Sequence, residues 1–287
     1  MRVLITGAAG LVGRATVRHC AANGDEVFAR SRDVLDISDA DAVEKIVGEC
    51  RPDAIINCAA WTDVDECESD PARATTVNAL GPENLARAAR NASARLLTIS
   101  TDYVFDGTKG GFYTQRDDPN PESVYAASKL AGERRAQFAS ARTIVVRTGY
   151  VFGAGGRNFL STVIDRAGRG ERLRVISDAC GTPTYAPHLA ARLRLLAEMD
   201  LPGVFHVVNS GDGATFEEFT REALRLAGLS AEIHPVTMNS LSRPARRPMD
   251  SRLECLVSRA IGLPAMPAWQ DALREFIDAS SHQKQPL

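Results

Sequence analysis

Short apolar runs recur along the first half of the chain, each followed by a stretch long enough for one helix. "RVLIT" (2–6), "EVFAR" (26–30), "DAIINCAA" (53–60), "RLLTIS" (95–100) and "RTIVVRT" (142–148) have strand length and are bounded by turn residues. Between them, "LVGRATVRHCAANG" (11–24) has helical spacing and stops at Asn23-Gly24. "SDADAVEKIVGEC" (38–50) predicts a helix with Ser38 as N-cap, one helix is expected from Pro71 to Asn91, and another from about Ser123 to Ala139. A polar loop rich in Gly, Asp and Pro fills 106–121. Strand and helix alternating in this way predict an α/β protein with a doubly wound parallel sheet. Strands so apolar throughout require helices on both faces.

After Gly149 the pattern changes. "VFGAGGRNF", "CGTPTYAP", "NSGDGATF" and "RPARRPMDS" are loop-rich and separate short elements. The expected organisation is a dinucleotide-binding domain over 1–150 and a smaller substrate-binding lobe over 151–287. "LPGVFHVVN" (201–209) is placed to return to the main sheet. The polar tail "SSHQKQPL", from Ser280, is expected to be disordered.

A net charge of −2 over 287 residues offers no electrostatic basis for binding nucleic acid or clamping an anionic membrane. Six scattered cysteines without C-x-x-C spacing suit a reducing compartment. The first residues enter a strand and a glycine turn directly, with no apolar run of membrane length. A cytoplasmic protein is expected.

The turn "TGAAGLVG" places Gly7, Gly10 and Gly13 between a strand and a helix. Gly7 permits the tight turn, Gly10 lets backbone N–H groups approach a pyrophosphate, and Gly13 lets helix and strand pack closely. This is a G-x-x-G-x-x-G variant of the Rossmann dinucleotide fingerprint. At the end of the second strand an acidic residue would favour NAD. Here stand Arg30, Ser31 and Arg32, two guanidiniums flanking a hydroxyl, which suit the 2′-phosphate of NADPH, with NADH as the lesser option.

Tyr125 and Lys129 are four residues apart, so on a helix they share one face. An ammonium beside a phenol stabilises the phenolate and draws its pKa toward the working range. Ser100 and Thr101 end the fourth strand, at the carboxyl edge where ligands of open α/β sheets bind. Together these residues suit hydride transfer to a ketone, with Tyr125 supplying the proton.

"GAAGLVG", "NCAAWTDVDECE" (57–68), "VNALGPENLA" (77–86), "STDYVFDG" (100–107), "VYAASKLAGE" (124–133), "RTGYVFG" (147–153), "GTPTYAPHLA" (181–190) and "RPARRPMDSRLE" (243–254) resemble the extended short-chain dehydrogenase/reductase family, in its nucleotide-sugar 4-ketoreductase branch. The resemblance covers nearly the whole chain. It implies a Rossmann-type fold and NADPH-dependent reduction of dTDP-6-deoxy-L-lyxo-4-hexulose to dTDP-L-rhamnose. It makes Tyr125 the proton donor, Lys129 its partner and Thr101 the hydroxyl that holds the sugar and nicotinamide. Gly10, Leu11 and Val12 would contact the pyrophosphate, Asp36 and Ile37 the adenosine, and Ala60, Trp61 and Thr62 would line the cofactor. Asp102 would touch the substrate. Two departures bear on this. Tyr150 stands where the family usually has Trp, which keeps an aromatic face. Arg14 and Ala15 stand where some members bind Mg²⁺ at a dimer interface through acidic side chains, so no metal is expected and the chain is read as a monomer or homodimer.

Arg246 and Arg247 lie in a proline-bounded loop as candidates for the nucleotide diphosphate. The acids of "TDVDECESD" (62–70) read as helix caps, and five histidines without ligand spacing offer no metal site. Two other readings stand beside the leading one. They are a 4-ketoreductase of another dTDP-deoxysugar and a non-catalytic NADP-binding regulatory subunit, against which the intact Thr101, Tyr125 and Lys129 argue.

Overall fold

The computed structural model describes residues 1–156 and 158–282. Five parallel strands follow the first-half pattern: β1 (Arg2–Thr6), β2 (Glu26–Arg30), β3 (Ala54–Asn57), β4 (Arg95–Thr101) and β5 (Thr143–Thr148). The strand Gly203–His206 pairs in parallel with β5 and completes six. The order across the sheet is Gly203–His206, β5, β4, β3, β1, β2, so connections leave β1 in both directions and the strand order reverses between β1 and β3. The end of the expected third strand, 58–60, leaves the sheet as a loop at this reversal.

Helices cover both faces because β3 and β5 are buried along their whole length. On one face α1 (Leu11–Ala22) packs beside the helix Ala186–Met199, over Val3, Ile5, Ile56, Leu97 and Ile144. On the other, α2 (Ala40–Cys50) and its neighbours cover Leu4, Ile55 and Leu96. Asp39, not Ser38, caps α2, its carboxylate accepting from the Ala42 N–H at 3.0 Å. Ser38 instead donates its N–H and hydroxyl to Asp36. A carboxylate one residue on, already at the helix entrance, takes the capping role.

The single helix expected over 71–91 is broken into three. α3 (Val64–Ser69) precedes it, then α4 (Pro71–Thr75) runs into a π-helical turn, Thr76–Leu80, and on into α5 (Gly81–Asn91). α6 (Val124–Ala139) is capped by Ser123 and crosses close to the π turn. It can do so because residue 132 is glycine: a Cβ there would overlap the Asn78 carbonyl oxygen.

Beyond β5, three two-stranded ladders and the helices Phe159–Gly168, Phe216–Ala227 and Trp269–His282 build a smaller lobe. Its core gathers Phe152, Tyr185, Phe219, Trp269 and Phe276. The last helix extends through His282, so the tail expected to be disordered from Ser280 is helical at its start; 283–287 lie outside the described residues.

Candidate active site

The glycine turn is shaped for a close ligand. Gly7 has φ +63° and its missing Cβ would fall 2.6 Å from the Ala59 nitrogen, while a Cβ on Gly13 would overlap the Gly7 carbonyl oxygen. Gly10 is the N-cap of α1 and brings no side-chain cap, nor does the first turn carry an acid. The first N–H groups of α1, at Leu11, Val12 and Gly13, therefore keep their donors for an anion at the positive end of the helix dipole.

From this turn a cleft of about 220 Å³ runs along the carboxyl ends of β1 and β3, between Gly7, Ala9 and Gly10 on one side and Ala60, Trp61 and Arg73 on the other. Arg32, Asp36 and Ile37 line its far end. Arg30 does not. Its guanidinium folds back on the Ala29 carbonyl (3.0 Å) and the Cys50 sulfur (3.7 Å), and the Ser31 hydroxyl is bonded to Asp33. Of the expected Arg-Ser-Arg cluster, Arg32 alone faces the cleft. The Trp61 ring is covered by the Arg73 guanidinium at 4.3 Å, and Thr62 follows it as an exposed loop residue.

Asn78 was not singled out by the sequence, yet it ties this wall to the helix carrying the Tyr-Lys pair. From the π turn its amide accepts the Trp61 N–H (2.8 Å) and donates to the Trp61 carbonyl (3.0 Å) and the Ser128 hydroxyl (3.0 Å). Ser128 in turn donates to the Tyr125 carbonyl at 2.7 Å. A π turn in a helix beside a ligand cleft is a recurrent functional device, but it has no signature in hydrophobic spacing.

α6 presents Tyr125, Lys129 and Glu133 at successive turns, all buried. The Lys129 ammonium donates to the Ile99 carbonyl at 2.7 Å. Burial draws its pKa down to about 8, against the pull of the Glu133 carboxylate. Glu133 is held by Arg147 of β5, with Nη2–Oε2 at 2.7 Å and Nε–Oε1 at 3.0 Å, and accepts the Ser100 hydroxyl at 2.5 Å. Ser100, expected to meet a ligand at the carboxyl edge, is thus committed to Glu133. Removing either partner of a buried pair of this kind leaves an uncompensated charge, at a cost of about 3–5 kcal/mol.

Thr101, last in β4, lies beside the Tyr125 phenol and donates to the Asp102 carboxylate at 3.1 Å. Burial pushes the Tyr125 phenol well above its ordinary pKa, only partly offset by Thr101. In this state the phenol is protonated and burial outweighs any pull from Lys129. Asp102 is buried, accepts the Ser251 hydroxyl at 2.5 Å, and has its pKa raised to about 6 by desolvation. Its carboxylate occupies the space where a side chain on residue 149 would sit, which explains the glycine before Tyr150.

Tyr150 adopts a left-handed backbone, φ +50°, and its ring packs among Phe216 (4.4 Å), Phe219 (5.0 Å) and Phe159 (6.1 Å) of the smaller lobe. Its hydroxyl is buried without a hydrogen-bond partner among the described residues. The two loop arginines diverge. Arg247 forks onto Asp65 of α3, at 3.0 and 2.8 Å, whereas Arg246 is exposed and 3.6 Å from Glu122. Of the other acids in 62–70, Asp63 and Asp70 cap α3 and α4, and Glu68 accepts the Val124 N–H at 2.8 Å at the start of α6.

Comparison with known proteins agrees with this layout. The model of the RmlD substrate binding domain matches residues 1–282. A dTDP-4-dehydrorhamnose reductase of Streptomyces griseus is 40% identical, covering 97% of this chain and 93% of the relative. A probable dTDP-4,6-dihydroxy-2-methyloxan-3-one 4-ketoreductase of Streptomyces antibioticus is 37% identical, covering 96% and 94%. Among solved structures, the dTDP-4-dehydrorhamnose reductase of Bacillus anthracis in complex with NADP superposes with a TM-score of 0.94 at 33% identity, covering 96% of this chain and 98% of that one. With likeness of this extent along the whole chain, the protein belongs to the RmlD substrate-binding-domain family, the family of the dTDP-4-dehydrorhamnose reductases.

Proposed function

We propose that this protein is an NADP-dependent oxidoreductase that reduces the 4-keto group of dTDP-6-deoxy-L-lyxo-4-hexulose to give dTDP-L-rhamnose. The observation that carries the reading is the convergence of Thr101, Tyr125 and Lys129 at the carboxyl edge of the sheet, beside a glycine cradle whose helix N-terminus is free to bind a diphosphate. Residues 1–150 hold the dinucleotide, with Arg32 near the 2′-phosphate, and the smaller lobe within 151–287, apart from the segments that return to the main sheet, binds the nucleotide sugar.

When bound, NADPH supplies the hydride. Tyr125 supplies the proton to the carbonyl oxygen. Its high pKa keeps the phenol protonated until the developing alkoxide, a stronger base, takes the hydrogen. Lys129 lies one turn along α6, where a cation stabilises the phenolate that results. Thr101 positions the ketone beside Tyr125, and Asp102 and Tyr150 face the sugar. Six free cysteines and the use of NADPH suit the cytoplasm, where the protein acts as a monomer or homodimer.

The test is NADPH absorbance in the presence of the dTDP-4-keto-6-deoxy-L-sugar. Loss of absorbance only with sugar present, and dTDP-rhamnose as product, is the expected result. Tyr125→Phe should lower kcat by about 10²–10⁴ while NADPH still binds; near-normal turnover would remove Tyr125 from its role. The relative from Streptomyces antibioticus and Tyr150 in place of the usual Trp support a second reading, reduction of another dTDP-deoxysugar. NADPH binding without turnover on the first sugar, followed by turnover on a second, would select it.

A further inference from the structure

A cavity of about 450 Å³ lies apart from the cofactor cleft. It lies beyond the strand Gly203–His206 at the edge of the sheet, and segment 253–266 forms its other wall. Phe112, Val208, Leu253, Leu263 and Met266 make it mostly apolar. It shares no lining residue with the cofactor cleft and contains none of Thr101, Tyr125 or Lys129.

Into this cavity the helix Ala186–Met199 sends Arg192. The residue is only 9% exposed, yet its guanidinium has no carboxylate partner among the described residues. Nη2 donates to the Pro264 carbonyl at 2.6 Å, and Nε and Nη1 have no acceptor among the described residues. Burial draws its pKa below the usual arginine value, against a pull from the Cys255 thiol. The cavity's other cation, Arg259, is paired with Glu254. Buried charges in proteins are ordinarily paired, so a guanidinium held this way marks a place for an anion.

We propose that the cavity is a second ligand site, taking a monocarboxylate with an apolar body, its carboxylate on the free edge of Arg192. One unpaired cation matches one negative charge. A phosphate dianion would leave a charge uncompensated near Glu254, and a bare inorganic anion would leave the apolar walls uncovered.

Benzoate serves as the probe and benzamide as its uncharged counterpart, with binding followed by calorimetry on the full chain in the presence of saturating NADPH. Benzoate should bind with one-to-one stoichiometry, and benzamide and Arg192→Met should each weaken binding by about ten-fold or more, the scale of a lost charge-assisted pair. Arg192→Met should leave ketosugar turnover unchanged. Ala265→Trp, at an exposed lining position, should block benzoate by filling the space and covers the case in which the Arg192 variant fails to fold. Four results overturn the proposal: no saturable binding, equal binding of benzamide, displacement of benzoate by dTDP, or inorganic phosphate binding more tightly than benzoate.

Discussion

Asp102 shows how one residue's surroundings set its chemistry. The Thr101 hydroxyl has a single hydrogen and two neighbours for it, Asp102 and Tyr125. An ionised Asp102 holds that hydrogen; a protonated one releases it toward Tyr125. Because desolvation raises its native pKa to about 6 from the usual 3.8, the folded protein binds the proton more tightly than the unfolded chain. Its contribution to stability is therefore fully present below the unfolded value and is lost as pH rises through about 6, the reverse of an ordinary paired carboxylate. Asp102→Asn should remove this loss, so its melting temperature should vary less than wild type between about pH 4 and pH 7. Parallel melting-temperature profiles for the two proteins would refute the assignment. The glycine at 149 belongs to the same arrangement, since any side chain there would displace the carboxylate.

Among the elements, α6 and the π turn act as a unit. Tyr125, Lys129 and Glu133 keep their helical spacing whatever α6 packs against, but their height over the cleft depends on how closely α6 approaches Asn78. Gly132 sets that distance. Gly132→Ala should therefore force the two elements apart, costing about 1–3 kcal/mol in chemical denaturation and lowering kcat together with stability. A denaturation midpoint equal to that of wild type would show that the contact yields without cost. The spacing of Tyr125 and Lys129 was legible in the sequence because it is a local property of a helix. The role of Asn78 was not, because Trp61 and Ser128 are 17 and 50 residues away.

Across the whole molecule, Ser251 and the Arg247 loop are among the contacts by which the smaller lobe reaches the carboxyl edge of the sheet. Ser251 bonds Asp102, and the Arg247 loop is fastened to Asp65, whose carboxylate also accepts the Ala245 N–H at 3.1 Å. The Asp65–Arg247 pair is partly exposed, so by itself it contributes about 1 kcal/mol or less. Its larger effect is to hold the loop near the substrate side of the cleft. Asp65→Ala should raise KM for the nucleotide sugar about five-fold while leaving NADPH affinity unchanged, as separate titrations of the two ligands would show. An unchanged KM would mean that the loop stays in place without the pair.

What the sequence determined by itself was local. The strand and helix alternation, the glycine turn and the Tyr-x-x-x-Lys pair depend on spacing and backbone freedom within a few residues, and they suffice to predict the sheet and to single out the glycine turn and Tyr125 as candidates for the cradle and the proton donor. Tertiary structure decided which members of those clusters face the ligand. Arg30 is the last residue of β2 and turns back to Cys50, while Arg32 lies two residues beyond the strand in the loop that lines the cleft. Ser100 goes to Glu133, and Thr101, at the end of β4, goes to Asp102. Arg247 meets Asp65 only because a loop of the smaller lobe folds back across the sheet edge. Contacts between residues far apart in the chain follow from how layers pack, and no periodicity along the chain encodes them.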